Sequence, residues 1–274
     1  MIARARASLN HKGYTAVPSN LSPMSGHSKW ANIKVRKTAQ DAKRGKVYTR
    51  HARLIEIAAK GGGDPVMNPT LRTVIENAKA EGVPNANIER AIKKGTGELK
   101  GEQMALVLYA AYGPGNAAMI IECLTDNRNR TVASVRSIIE RRSGRWAESN
   151  AVLWMFSQKG VVVGKKAGPV NRDDLELKLI DAGAEEIDWM EDGTVDIVTS
   201  GDHWAKVRDV LKSESFEIPT AGLKYVPTQK AAISDLPTAQ TLMQMIEAVE
   251  EDEDVSEVHT NAEIADEVVK QLSA

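Results

Sequence analysis

At Gly97 the apolar residues stop recurring at helical spacing and begin to alternate, and this change of period constrains the fold more than any other feature of the sequence. Before it, Val47, Leu54, Ile55 and Ala58 mark a helix that Gly61-Gly62-Gly63 ends. Asn68-Pro69 reads as the N-cap and first-turn residue of a second helix, burying Leu71, Val74, Ile75 and Ala78 and closing at Gly82. A third starts near Asn85, buries Ile88, Ala91 and Ile92, and stops at Gly95. Trp30 to Gly97 is therefore expected to form a small helical domain.

Beyond Gly97, Met104 to Tyr112 and Ala117 to Leu124 read as strands joined at Gly113-Pro114-Gly115, and Thr131 to Arg142 as a helix with Val132, Val135, Ile138 and Ile139 on one face. Ala151 to Phe156 and Gly160 to Val163 read as a hairpin around Gln158-Lys159, followed by a helix over Arg172 to Ala182. A second hairpin turns at Asp192-Gly193, and its far strand, Thr194 to Thr199, leads into a helix from Asp202 to Ser213. Lys224 to Ile233 returns to strand, Thr238 to Val249 to helix, and Val255 to Thr260 to a last strand. These closing elements complete the unit opened at Met104. The expected fold class is α+β in three domains: a helical domain at 24–97, an α+β domain built from 98–144 and 222–274, and a second α+β domain, 145–221, inserted in it.

Charge is distributed unevenly. The chain has net charge -1, yet residues 24–96 hold 15 basic and 6 acidic side chains, and residues 231–274 hold 1 basic and 11 acidic. Seven Lys or Arg and one acid fall within residues 25–46. Such asymmetry points to a polyanion-binding end and an acidic end that is a solvated surface, or that shields the basic end when idle. On a helix after Ala39, Lys43, Arg44, Lys46 and Arg50 come close to i, i+3 and i+7 neighbours. A phosphate backbone offers regularly spaced anions to such a row and releases counterions when it docks. Trp30, among Lys29, Lys34, Arg36 and Lys37, could stack on a base, although core packing is the commoner use of a tryptophan. A second basic cluster, Arg128 and Arg130 in "TDNRNRT", either grips phosphate or packs on a neighbouring domain, with Asn129 or Thr131 as the helix cap.

Catalytic chemistry finds no support. The five histidines, His11, His27, His51, His203 and His259, lack His or Cys partners at zinc spacing, so no metal or other cofactor is expected. Cys123, the single cysteine, sits in an apolar strand beside Ile121 and Leu124 and reads as a buried structural thiol. The stretch from Gly160 to Lys166 has the wrong glycine spacing for a phosphate loop and lacks its Ser or Thr. Neither an enzyme nor a small-molecule substrate is indicated. No run approaches the roughly 18 apolar residues of a membrane span, so no membrane partner is expected. The first 23 residues carry Arg4, Arg6, Lys12 and no acid. They read either as a leader or as an upstream extension of a chain starting at Met24, giving a cytoplasmic protein, or a mitochondrial one if the leader is a transit peptide.

Several stretches together resemble the YebC/PmpR family: "MSGHSKWANIK" from Met24, "QDAKRGKVYTR", "GGGDPVMNPTLRTVIENA", "NIERAIKKGTGE" and "ECLTDNRNRT". The resemblance spans Met24 to about Arg142 in specific blocks and continues more loosely to the C-terminus. It implies the same three domains, the two α+β ones ferredoxin-like, and a non-enzymatic role. Family members are DNA-binding transcriptional regulators or translational activators acting at the ribosome. The implied partner is thus nucleic acid, either duplex DNA or ribosomal RNA. The implied contact residues are Lys29, Trp30, Lys34, the run from Ala42 to Lys46, Arg128 and Arg130. Where relatives commonly show Gly-Gly-Asn-Leu-Gly after the long helix, this chain has Ser143-Gly144-Arg145-Trp146-Ala147-Glu148-Ser149.

Overall fold

The computed structural model describes residues 41–190 and 192–273, with side chains from 45 through 190 and from 192 through 272. Among the described residues three helices come first: α1 (Asp41–Ala59), α2 (Pro69–Ala80) and α3 (Asn85–Gly95). The Asn68 side chain accepts the Leu71 amide at 3.1 Å, and Pro69 follows where a missing amide proton costs nothing. Ile55, Leu71, Ile75, Ala78, Ile88 and Ala91 meet in one buried cluster. Gly95 lies so close to α1 that a Cβ there would stand 2.2 Å from the Glu56 carbonyl oxygen. Only glycine allows α3 to approach α1 in this way.

The change of period at Gly97 marks the start of a mixed helix and sheet body. Strands β1 (Ala105–Tyr112) and β2 (Ala118–Thr125) pair antiparallel, Ala110 opposite Ile120. Helix α4 (Arg128–Glu140), β3 (Arg145–Ala147) and a short helix α5 (Ser149–Leu153) follow. Then come β4 (Phe156–Lys165), α6 (Arg172–Asp181), β5 (Ala184–Trp189), β6 (Thr194–Thr199), α7 (Trp204–Ser213) and β7 (Glu217–Pro227). The chain closes with β8 (Ala231–Ile233), α8 (Leu236–Glu250), β9 (Val255–Thr260), β10 (Ala262–Ile264) and α9 (Asp266–Ser273).

Among the described residues two four-stranded antiparallel sheets result, in the orders β3-β1-β2-β9 and β5-β6-β4-β7, while β8 and β10 form a small parallel pair. The residues of the second sheet lie in sequence between β3 and β9 of the first. Its succession of strands and helices, β-α-β-β-α-β, is ferredoxin-like. The first sheet keeps two helices on one face but takes its strands in the order β-β-α-β, then α-β. There Met119, Ile121 and Cys123 pack under Val135 and Ile139 of α4 and Leu242, Met245 and Val249 of α8. The alternate residues Ala110, Ala118 and Ile120 turn to the opposite face and meet Val152 and Phe156. Period-2 alternation thus supplies a core on each side of one sheet.

Three local expectations are corrected. Gln158-Lys159 is not a turn; β4 runs straight through it, paired with Tyr225 and Lys224 of β7. The two positions hold no Gly, Asn or Asp to favour the positive φ of a tight turn. Ala151 to Phe156 begins as a helical turn, with Trp154 Nε1 donating to the Ala151 carbonyl at 2.9 Å. A short apolar run does not by its period separate strand from helix. The strand expected over Lys224 to Ile233 is the end of β7 plus the separate β8. Ser143, just after α4, takes φ 62°, a left-handed conformation that glycine adopts more easily.

Candidate nucleic-acid interface

Lys29, Trp30, Lys34, Arg36 and Lys37 lie outside the described residues, as does the 1–23 leader. Lys43 and Arg44 fall on α1 ahead of the first described side chain. Lys46, Arg50 and Arg53 then recur along α1 at i, i+4 and i+7, one edge of the helix. All three reach the acidic segment from Glu250 to Glu257, which runs from the end of α8 into β9. Lys46 Nζ donates to the Glu250 carbonyl. Arg50 donates to Ser256 Oγ at 3.0 Å and faces Glu257 Oε2 at 3.5 Å. Arg53 donates to the Leu124 carbonyl at 3.0 Å and pairs with Asp254 Oδ1 at 3.2 Å. Arg53 was missed in the sequence, although it continues the i+3 spacing from Arg50.

The second basic cluster divides. Arg128 begins α4 with an exposed side chain that makes no ion pair among the described residues. Arg130 is held by two carboxylates, Asp126 Oδ1 at 3.0 Å and Asp254 Oδ2 at 2.9 Å. The cap of α4 is Asn127, whose side chain accepts the Arg130 amide at 3.1 Å, rather than Asn129 or Thr131. Thr131 is instead fully buried, its hydroxyl donating to Asp254 Oδ2 at 2.7 Å. Asp254 is therefore a shared acceptor for α1 and α4. Burial works against its ionisation, yet Arg130, Thr131 and Arg53 hold its carboxyl below the usual range.

Glu257 has a comparable position. Lys224 of β7 donates to both of its carboxylate oxygens, and Arg50 approaches from α1. Against the cost of burial, Lys224, His259 and Arg50 draw its pKa down to about 2. Glu122, Glu257 and His259 also bring possible metal-ligand atoms within 4.8 Å of one another. His259 Nε2, however, bonds Glu122 Oε1 at 2.8 Å, and the Lys224 ammonium already supplies a cation to Glu257. The trio, together with Lys224, reads as a network of a hydrogen bond and an ion pair. Sequence spacing could not show it, because Glu122 meets Glu257 only through the pairing of β2 with β9.

Cys123 is fully buried, and burial, followed by the carboxylates of Asp252, Asp254 and Glu122, pushes its thiol up to about 12. Such a thiol is a poor nucleophile. Elsewhere in the helical region, Arg90 and Lys93 of α3 are exposed and make no ion pair among the described residues. The loop before α2 displays Val66 and Met67, 75% and 81% exposed. Arg72 braces that loop by donating to the Pro65 and Val66 carbonyls at 3.0 and 2.9 Å.

Residues 28–98 match the family model for the TACO1/YebC protein N-terminal domain, and residues 104–262 match that for the TACO1/YebC second and third domain. A probable transcriptional regulatory protein of Maridesulfovibrio salexigens is 44% identical over 249 residues, covering 91% of this chain and 99% of that one. Another of the same description, from Petrotoga mobilis, is 44% identical over 252 residues, covering 92% and 99%. A crystal structure of a conserved hypothetical protein from Aquifex aeolicus superimposes with TM-score 0.76 at 38% identity, covering 85% of this chain and 96% of that one. With both models matched in succession and relatives aligned over nearly their whole length, this chain belongs to the TACO1/YebC family, a family of regulatory proteins.

Proposed function

We propose that the chain is a non-enzymatic regulator of gene expression that binds nucleic acid through its phosphate backbone, with duplex DNA as the first target. One observation carries this reading: Lys46, Arg50 and Arg53 form a cationic edge on α1 that meets protein oxygens, the carboxylates of Glu257 and Asp254 among them. An edge that takes a row of anionic oxygens within the protein has the chemistry to take a row of phosphates. The names of the relatives favour transcription, a process whose template is duplex DNA. The exposed pair Val66 and Met67 favours a second reading, a translational activator on ribosomal RNA, since apolar side chains pack well on the unpaired bases that RNA loops display.

Sedimentation of tagged protein from lysate at low and high salt, run beside gel shifts on duplex DNA, separates the two. A footprint that survives competitor DNA supports the regulator of transcription. Salt-sensitive comigration with ribosomes and no preferred DNA site supports the translational reading. Failure to bind either polymer rejects both.

A further inference from the structure

We infer that the acidic segment from Glu250 to Glu257 is an internal occupant of the α1 cationic edge, and that docking of the helical region on this segment competes with polyanion binding. The inference rests on the nucleic-acid reading above and adds its regulation.

The alternative is a permanent clamp between the helical region and the sheets, and three features argue against it. First, the contact is polar. The helical core draws on residues from Tyr48 to Ile92 and the neighbouring core on residues from Val107 to Leu272, and among the described residues no hydrophobic cluster spans the two. Of its ion pairs, Arg50 with Glu257 is partly exposed and is weakened by salt and by competing anions, while Arg53 with Asp254 is more buried and is screened less.

Second, both carboxylates keep a cation when α1 departs. Asp254 retains Arg130 at 2.9 Å and the Thr131 hydroxyl at 2.7 Å. Glu257 retains Lys224. Undocking therefore leaves no buried carboxylate without a partner, which is the usual reason a broken ion pair is costly. Arg50 and Arg53 of α1, by contrast, lose the carboxylates they face.

Third, the connection between the two parts permits movement. Residues 96–104 form no helix or strand, and Gly97 there takes φ 83°. The docked geometry is held across this link by Lys60, which donates to the Met104 carbonyl at 2.7 Å. A polyanion that binds only the undocked form shifts the population toward it, and its apparent affinity is reduced by the fraction that stays docked.

The test uses the full chain with dyes on Glu76→Cys in α2 and Glu140→Cys in α4, both exposed positions. The native Cys123 is buried and does not compete for label. Energy transfer is followed while a mixed-sequence DNA duplex or polyuridylate is added, with binding monitored separately by anisotropy. Transfer is expected to change as either polymer saturates. Glu257→Gln is expected to tighten binding by roughly three- to tenfold, and more than Glu247→Gln, which removes the same charge from an exposed site outside the contact. Binding that leaves transfer unchanged, or Glu257→Gln and Glu247→Gln acting alike, overturns the competition while leaving nucleic-acid binding intact. No binding to either polymer overturns both.

Discussion

Lys224 on β7 donates to both carboxylate oxygens of Glu257 on β9, so one ion pair joins the two sheets. Arg50 of α1 faces the same carboxylate, which makes Glu257 a junction of three parts of the chain. Replacing it with Gln keeps the shape and removes the charge, leaving Lys224, whose side chain is 15% exposed, without its counter-ion. Glu257→Gln is expected to lower stability by about 1–3 kcal/mol. Urea unfolding followed by tryptophan fluorescence measures this, and a midpoint equal to wild type rejects the junction.

The same carboxylate gives the protein a pH dependence. Its folded pKa is depressed to about 2 from an ordinary 4.5, so its contribution is fully present above the unfolded value and is lost as pH falls through the folded one. Asp254 is depressed in the same direction by Arg130, Thr131 and Arg53, and adds to the loss. The urea midpoint is therefore expected to fall steadily from about pH 5 toward pH 2. Glu257→Gln should flatten that slope; a variant with the wild-type slope would show that the dependence originates elsewhere.

Much of this architecture is visible in the sequence, and the reason is local. Asn68-Pro69 caps α2 whatever its surroundings, and Asp192-Gly193 turns the β5–β6 hairpin because Gly193 takes φ 82° at little cost. The straight passage of β4 through Gln158-Lys159 is not visible, because it depends on Lys224 and Tyr225 of β7, far along the chain. The basic edge is legible as charge, yet its partners are not. Which acids meet Arg50 and Arg53 depends on β9 pairing with β2, and that pairing places Glu257 and Asp254 beside α1.

Cys123 offers a separate check on the first sheet. Its thiol is pushed up to about 12 by burial and then by Asp252, Asp254 and Glu122. In the folded protein it should react with a thiol-directed disulfide reagent at pH 8 only as fast as the sheet opens. The rate is expected to rise by several orders of magnitude in denaturing urea. Rapid reaction without denaturant would contradict a thiol sealed between β2 and the helices above it.

Arg130 and the α1 cations are expected to answer differently to neutralisation, although the sequence groups them as basic sites. Arg130 is bound to Asp126 and to Asp254, and its side chain bridges the start of α4 to the segment before β9. Arg130→Gln should therefore lower the urea midpoint and leave the salt dependence of DNA binding unchanged. Lys46, Arg50 and Arg53 lie on one edge of a single helix, and on the proposed reading they exchange protein oxygens for phosphate oxygens. Neutralising all three should reduce the slope of log K against log salt by about one unit per lost phosphate contact. Gel shifts across a series of salt concentrations measure both. A slope that drops for Arg130→Gln and not for the α1 triple variant would place the phosphate contacts at the start of α4 and leave α1 a purely structural edge.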